Sequence, residues 1–308
     1  MKIVFLDTNT VGDVDLSPIE KLGDYTSFEY TTDNEVIANC KGADIVISNK
    51  VYIGKEAMDR LPKLKLICVA ATGTNNVDMD YAAKKDIIVK NVAAYSSMSV
   101  VQHTFALLFS MMHSVADYDA YIKSKDYSNS KSFTCMKYSY DELSALTWGI
   151  VGLGNIGRNV AKLASAFGAN VVYYSTSGKN SNPDYKSVSF DELLVTSDII
   201  SIHAPLNDKT YDLFKYDSFE RMKNSAIIVN VGRGGILNEK DLAKALNDDQ
   251  IKGAALDVFE KEPLALENPL LTVKNKRKLI LSPHIAWASV QARERLIKGI
   301  CNNIISFK

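Results

Sequence analysis

The sequence predicts an α/β protein with two parallel-sheet domains, and three observations predict it. At 308 residues the chain is long for a single core. Short apolar runs bounded by turn residues alternate with helical patterns along nearly its whole length. One of these runs, Trp148–Val151, stops at Gly152 and is followed by Gly154 and Gly157, after which Val160–Phe167 has helical spacing.

In chain order, Lys2–Leu6, Ile45–Ser48, Leu66–Ala70 and Ile87–Asn91 read as buried parallel strands. Asn34–Lys41, Lys55–Leu61 and Tyr81–Lys85 have helical character between them, which makes a small, flavodoxin-like α/β layer structure. Ala71–Asp78 follows the third of these strands and carries Gly73. A glycine-bearing loop at a strand's carboxyl end is where open α/β sheets place ligands, although a plain strand-to-helix connection has the same spacing.

Tyr95–Met98 is a short polar break before Val100–Met112, an almost wholly apolar helix suited to a domain seam. Asp117–Tyr140, rich in Ser, Tyr and Lys, shows weak periodicity and reads as an excursion, a candidate dimer arm. The second unit then runs through strands Gly149–Gly152, Asn170–Tyr174, Ile199–His203, Ala226–Val231, Ala254–Asp257 and Leu279–Leu281. Helices are expected at Phe190–Val195, Tyr216–Arg221 and Glu239–Asn247. A last helix, about Ser289 to Ile304, returns toward the first domain.

The glycine run has a physical meaning in that setting. Gly152 lets the chain turn tightly off a strand, Gly154 lets a pyrophosphate approach the backbone, and Gly157 packs the new helix close to the sheet. Free N–H groups at the start of the helix, around Asn155 and Ile156, meet the negative charge. Three glycines at this spacing also occur in ordinary turns; the strand before, the helix after and the second strand at Asn170–Tyr174 make this a dinucleotide cradle of Rossmann type.

Composition excludes several classes. Lys plus Arg and Asp plus Glu are 36 each, so no bulk field recruits nucleic acid or an anionic membrane. No apolar segment reaches membrane-spanning length, and the opening run Met1–Asp7 is too short and too soon charged for an export signal. Cys40, Cys68, Cys135 and Cys301 have no metal or redox spacing, and no metal is expected. The expectation is a cytoplasmic protein with reduced cysteines.

Three stretches lie at or just past strand ends of the second unit: Asn230–Gly235, Asp257–Pro263 and Ser282–Trp287. They bring an arginine, a carboxylate and a histidine to the cofactor side of the sheet. Reduction of a ketone by hydride builds negative charge on its oxygen, which calls for a proton donor and a cation. Histidine supplies the proton near neutral pH, and arginine holds a substrate carboxylate while polarising the adjacent carbonyl. A carboxylate on the imidazole favours its protonated form. Taken singly, Arg233, Glu262 and His284 each have an ordinary reading, as a surface arginine, a loop glutamate before Pro263 and a packed histidine after Pro283. His103 and His113 lie on the apolar helix and read as structural, and His203 as a lining residue of the cofactor groove.

Together and in order, these motifs resemble the D-isomer-specific 2-hydroxyacid dehydrogenase family across nearly the whole chain. The matching pieces are Thr72–Asp78, Gln102–Leu107, Gly152/Gly154/Gly157, His203–Leu206, Val229–Gly234, Leu256–Glu260 and Pro283–Trp287. The resemblance implies Arg233 as substrate binder and carbonyl polariser, Glu262 as histidine partner and His284 as general acid/base. It implies that N–H groups around Thr72 and Gly73 receive the substrate carboxylate, and that Asp257 sits near the nicotinamide carboxamide. It places Gly152, Gly154, Asn155, Ile156, Gly157, Ser175, Thr176, Lys179, His203, Ala204, Pro205, Thr210, Val231, Gly232, Arg233, Asp257, His284 and Ala286 on the cofactor. It further implies a discontinuous substrate domain (1–98 and 285–308), a nucleotide-binding domain (99–284) and a homodimer formed through 100–145. Ala286-Trp287 and Gln102-His103-Thr104 look most like the glycerate dehydrogenases (hydroxypyruvate reductases), with D-lactate dehydrogenase-like activity or a non-catalytic dinucleotide-sensing module as alternatives. Trp287, where many relatives carry glycine, has interdomain packing as its ordinary reading, and its role stays open.

One departure concerns the cofactor. NAD-preferring sites carry Asp or Glu at the end of the second strand for the ribose 2′-OH. Here that position is Ser175, and no acidic residue occurs between Gly157 and Asp184. Hydroxyls with Lys179 or Arg158 would suit a 2′-phosphate, so the sequence leans to NADP(H) over NAD(H), without an arginine in the loop to settle it.

Overall fold

A computed structural model describes residues 1–307 and divides into two compact units, Met1–Ser97 with the segment from Trp287 onward, and Met98–Ala286. The sequence-based boundaries lie within two residues of these.

The first unit contains β1 (Lys2–Phe5), α1 (Ser17–Glu20), β2 (Asp24–Ser27), α2 (Val36–Asn39), β3 (Ile45–Ser48), α3 (Lys55–Arg60), β4 (Leu66–Val69), α4 (Met79–Lys84) and β5 (Ile88–Asn91). All its strands are parallel, in the order β2-β1-β3-β4-β5, which is the flavodoxin order. Strand residues alternate between two cores. Ile3, Phe5, Ile45, Ile47, Leu66 and Cys68 join one, while Val4, Leu6, Val46, Ile67 and Val69 join the other. Burial on both faces is why the strands read as unbroken apolar runs. Strand β2 escaped the sequence reading because it is a polar, partly exposed edge strand with no such run. Trp287 packs on the first of these cores and meets Tyr95 edge-on, with centroids 6.2 Å apart.

The second unit holds α5 (Ser97–His113, begun at the boundary), α6 (Val115–Lys123), β6 (Thr147–Val151), α7 (Asn155–Ala166), β7 (Asn170–Tyr174), β8 (Lys186–Ser187) and α8 (Phe190–Thr196). It continues with β9 (Ile199–Ile202), α9 (Tyr216–Arg221), β10 (Ile227–Asn230), α10 (Glu239–Asn247), β11 (Gly253–Leu256) and β12 (Leu279–Leu281). The strands form one parallel sheet of seven, β12-β11-β10-β9-β6-β7-β8, doubly wound about a switch point between β6 and β9. Six strands were expected. The extra one, β8, is two exposed residues at the edge, too short and polar to show periodicity. Within the excursion, α6 has no buried residue, which explains why its helix left no apolar pattern to read.

The last helix, α11 (Val290–Ile305), belongs to the first unit. A Cβ at Gly299 would overlap Val92 just past β5, so glycine lets the helix lie directly against it. No described helix is long and apolar enough to cross a membrane, and no group of three His, Cys, Asp or Glu among the described residues could hold a metal. The four cysteines are free, and burial pushes the Cys40 and Cys68 thiols up to about 12.

Candidate active site

The glycine turn follows β6 at the switch point. Gly152 has φ +89°, and a Cβ there would stand 2.8 Å from the Ala204 nitrogen and 2.9 Å from its Cα. A Cβ on Gly157 would overlap the Gly152 carbonyl, so α7 starts hard against the turn it follows. Nothing lies within 4 Å of where a Gly154 Cβ would be. Two glycines thus make close contacts possible, and the third faces open space at the amino end of α7, where Asn155 and Ile156 begin the helix. That is the shape a pyrophosphate needs.

The neighbouring strand ends carry polar atoms with nothing to bind. Ser175 Oγ, just past β7, and His203 Nδ1, just past β9, are buried and unpartnered. Trp148 Nε1 donates to Ser201 Oγ at 2.8 Å, and His203 Nε2 lies 2.9 Å from the same oxygen. An indole can only donate, so Ser201 Oγ accepts from Trp148 and bridges it to the His203 ring. Burial pushes the His203 pKa down to about 3, so the ring is neutral in the physiological range. An orphaned ring nitrogen and an orphaned hydroxyl flanking an open glycine turn fit a ribosyl group and its phosphates. Thr176 is half-buried and Lys179 exposed in the same loop. Thr210, by contrast, is fully buried, and its hydroxyl pins its own loop by donating to the Pro205 carbonyl and accepting from Asn207 N–H.

The other half of the sheet is tied up. Asn230 is fully buried at the end of β10; its amide donates to the Arg233 carbonyl at 2.9 Å and its Oδ1 accepts from Gly232 N–H at 3.0 Å. This shapes the turn of Val231 and Gly232 that presents Arg233, whose guanidinium also donates to the Gly232 carbonyl. A Cβ at Gly234 would overlap the Phe259 backbone, so glycine lets the arginine loop lie on the loop carrying Glu262. Buried Glu239 takes Glu260 N–H at 2.7 Å and the Asn268 amide at 2.6 Å, holding that second loop from below.

His284 is a half-buried, non-glycine residue at φ +55°, a conformation that costs an L-residue about 1–2 kcal/mol. Asp257 holds it there. Its carbonyl accepts His284 N–H at 2.8 Å, while its carboxylate accepts Ile285 N–H at 2.9 Å, Ala286 N–H at 2.8 Å and the Ser282 hydroxyl at 2.6 Å. Burial raises the Asp257 pKa, but bonds from His103, Ser282 and the two backbone amides outweigh it and hold the group below the usual carboxylate range. Out of this turn the His284 ring reaches Glu262, with Nδ1 2.6 Å from Oε2. The structure therefore joins Glu262 to His284 directly and sets the Arg233 loop against the loop of Glu262. In the first unit, the Thr72–Asn76 loop is held by Asn91 donating to the Thr72 carbonyl and by the Asn76 amide, which reaches Ser48 Oγ and the carbonyls of Asn49 and Val51.

These features agree with the sequence comparisons. Residues 105–286 match the profile of the D-isomer-specific 2-hydroxyacid dehydrogenase NAD-binding domain. The chain belongs to the D-isomer-specific 2-hydroxyacid dehydrogenase family. It is 36% identical over 315 residues to the hydroxypyruvate reductase of Blautia hydrogenotrophica, covering all of this chain and 97% of the relative. It is 33% identical over 307 residues to the glycerate dehydrogenase of Methylorubrum extorquens, covering 99% and 96%. Among solved structures, an acyclic imino acid reductase with NADPH and D-Arg matches at TM-score 0.87 and 28% identity, covering 100% of this chain and 97% of that one. The Aquifex aeolicus D-lactate dehydrogenase with NAD and lactic acid matches at 0.84 and 26%, covering 100% and 95%. As a D-2-hydroxyacid dehydrogenase the chain is an oxidoreductase that uses a nicotinamide cofactor to interconvert a 2-keto and a 2-hydroxy acid.

Proposed function

We propose that this D-2-hydroxyacid dehydrogenase reduces hydroxypyruvate or glyoxylate to D-glycerate or glycolate, with His284 as proton donor. The observation that carries this reading is the 2.6 Å pair of Glu262 and His284, on a turn held open by Asp257. Glu262 occupies Nδ1 as acceptor, so Nε2 is left to donate a proton to the substrate oxygen. Arg233 holds the substrate carboxylate and draws charge from the adjacent carbonyl. A bound nicotinamide supplies the hydride.

We infer NADP(H) as the preferred cofactor, supported by the unpartnered Ser175 hydroxyl at the end of β7 with Thr176 and Lys179 beside it in sequence. A homodimer through the excursion is supported by the exposed Val115, Ile122, Phe133, Met136 and Tyr140. The relatives' names support the substrates, and pyruvate is the rival that the D-lactate dehydrogenase likeness brings in.

The test is NAD(P)H oxidation followed at 340 nm with hydroxypyruvate, glyoxylate and pyruvate, in the wild type and in His284→Ala. We expect the highest kcat/KM with hydroxypyruvate or glyoxylate and NADPH, and a fall in kcat of about 100-fold or more in the variant. Near-normal turnover by His284→Ala would remove the proton-donor assignment, and a preference for pyruvate would replace the substrate.

A further inference from the structure

His103 was read from sequence as a structural residue of an apolar helix, yet its ring is bonded to the turn that carries His284. Nε2 lies 2.9 Å from Ser282 Oγ and 3.5 Å from Asp257 Oδ1, across 179 residues of chain in the first contact. Proton directions follow from the partners. A carboxylate only accepts, so the 2.6 Å bond between Ser282 and Asp257 uses the serine's single proton. Ser282 Oγ is then left as an acceptor, and His103 must carry its proton on Nε2 and donate it. The result is one directed chain: His103 to Ser282, Ser282 to Asp257, and Asp257 gathering the amides of Ile285 and Ala286 that follow His284, itself at φ +55°.

We propose that His103 is a positioning residue for His284, acting through Ser282 and Asp257 to keep the left-handed turn in the geometry that aims the imidazole. The inference rests on His284 being the proton donor. Three features give it weight. Asp257 is nearly fully enclosed, with its side chain 1% exposed, so its charge depends on protein donors and not on water. His103 sits on α5, a long helix buried through Val100, Val101, Thr104, Leu107 and Leu108, which makes it a rigid post for a loop residue. And hydrogen bonds in series strengthen one another, so removing the first weakens the last. A loosened turn lets His284 relax toward ordinary φ and swing its ring away from the reacting oxygen, where a displacement of about 1 Å can cost 100-fold.

The test compares wild type, His103→Leu, His103→Gln, Ser282→Ala and the double variant His103→Leu/Ser282→Ala in steady-state assays, with cofactor Kd from fluorescence titration. We expect His103→Leu and Ser282→Ala each to lower kcat about tenfold, with KM for the keto acid and cofactor Kd within about twofold of wild type. His103→Gln, which keeps an N–H donor near the Nε2 position, should recover most of kcat, and the double variant should be no slower than the worse single one. Wild-type kcat in both single variants overturns the proposal. So do additive losses, or a fall in kcat that tracks cofactor affinity and that glutamine does not rescue. Because Ser282→Ala removes one oxygen only, it decides the matter if His103→Leu does not fold. Absence of turnover in the wild type would instead strike the reading of the site itself.

Discussion

The two halves of the second unit's sheet handle their polar atoms in opposite ways. On the β6, β7 and β9 side, Gly154 faces open space and Ser175 Oγ and His203 Nδ1 are buried without a partner. On the β10, β11 and β12 side, Asn230, Asp257, Ser282 and Glu239 are all bonded, to backbone, to each other, to His103 or to Asn268. The contrast is one of purpose. The first half is made by leaving atoms out and bonds unmade, so that a ligand completes it. The second is made by over-determining a strained histidine, so that chemistry needs no rearrangement there. Both contain a left-handed turn; at Gly152 the residue has no Cβ to strain, whereas at His284 hydrogen bonds hold the strain.

The largest expected effect breaks the first half. Gly152→Ala places a Cβ 2.8 Å from the Ala204 nitrogen at φ +89°. The left-handed penalty and the forced backbone shift together should cost about 3 kcal/mol of stability. Urea unfolding of the variant measures it, with cofactor titration alongside. A midpoint equal to wild type would mean that the turn yields easily and that its shape is not set by glycine.

A smaller effect sharpens the contrast through pH. His203 in the folded protein has its pKa pushed to about 3 by burial, against about 6.5 in an unfolded chain. Between those values the unfolded chain binds the extra proton, so stability is full above pH 6.5 and drains away as pH falls. Lowering pH from 6.5 to 5 should remove about 2 kcal/mol. Asp257, whose folded pKa is lowered, loses its contribution only as pH falls below the carboxylate range, and Asp7, whose pKa burial raises, gains stability as pH falls, so a loss above that range is driven by His203. In His203→Gln the urea midpoint should hardly change across the same pH interval. An equal slope in wild type and variant would show that the acid sensitivity comes from elsewhere.

How far the sequence reveals this depends on range. The core strands of both sheets were legible because burial on both faces leaves unbroken apolar runs, as at Ile45–Ser48 and Ile199–Ile202. Strands β2 and β8 were not, being exposed edges. The glycine turn was legible because its logic is local. Asn230 had a local sign too, since an asparagine two residues before glycine and three before arginine suits a side-chain-held turn. His103 and Ser282 had none, because their bond closes a loop of 179 residues and a histidine on an apolar helix looks like packing. Resemblance brought Arg233, Glu262 and His284 into view together; spacing alone left each with an ordinary reading.

The smallest effect concerns which cofactor completes the open half. Ser175→Asp puts a carboxylate at the end of β7, where an acid accepts from a ribose 2′-OH and repels a 2′-phosphate. The wild-type hydroxyl is buried without a partner, so the position already looks inward and the new group should point the same way. The loop beyond it is exposed at Ser177, Gly178 and Lys179, so water and salt screen the repulsion well below its dry value. A shift of about tenfold in the ratio of NADH to NADPH kcat/KM follows, equal to about 1.4 kcal/mol. Separate Kd titrations should place the change in NADPH binding more than in kcat, because the carboxylate lies at the adenosine end and leaves His284 untouched. An unchanged ratio would mean that the ribose is read elsewhere, with Arg158 at the start of α7 the next residue to replace.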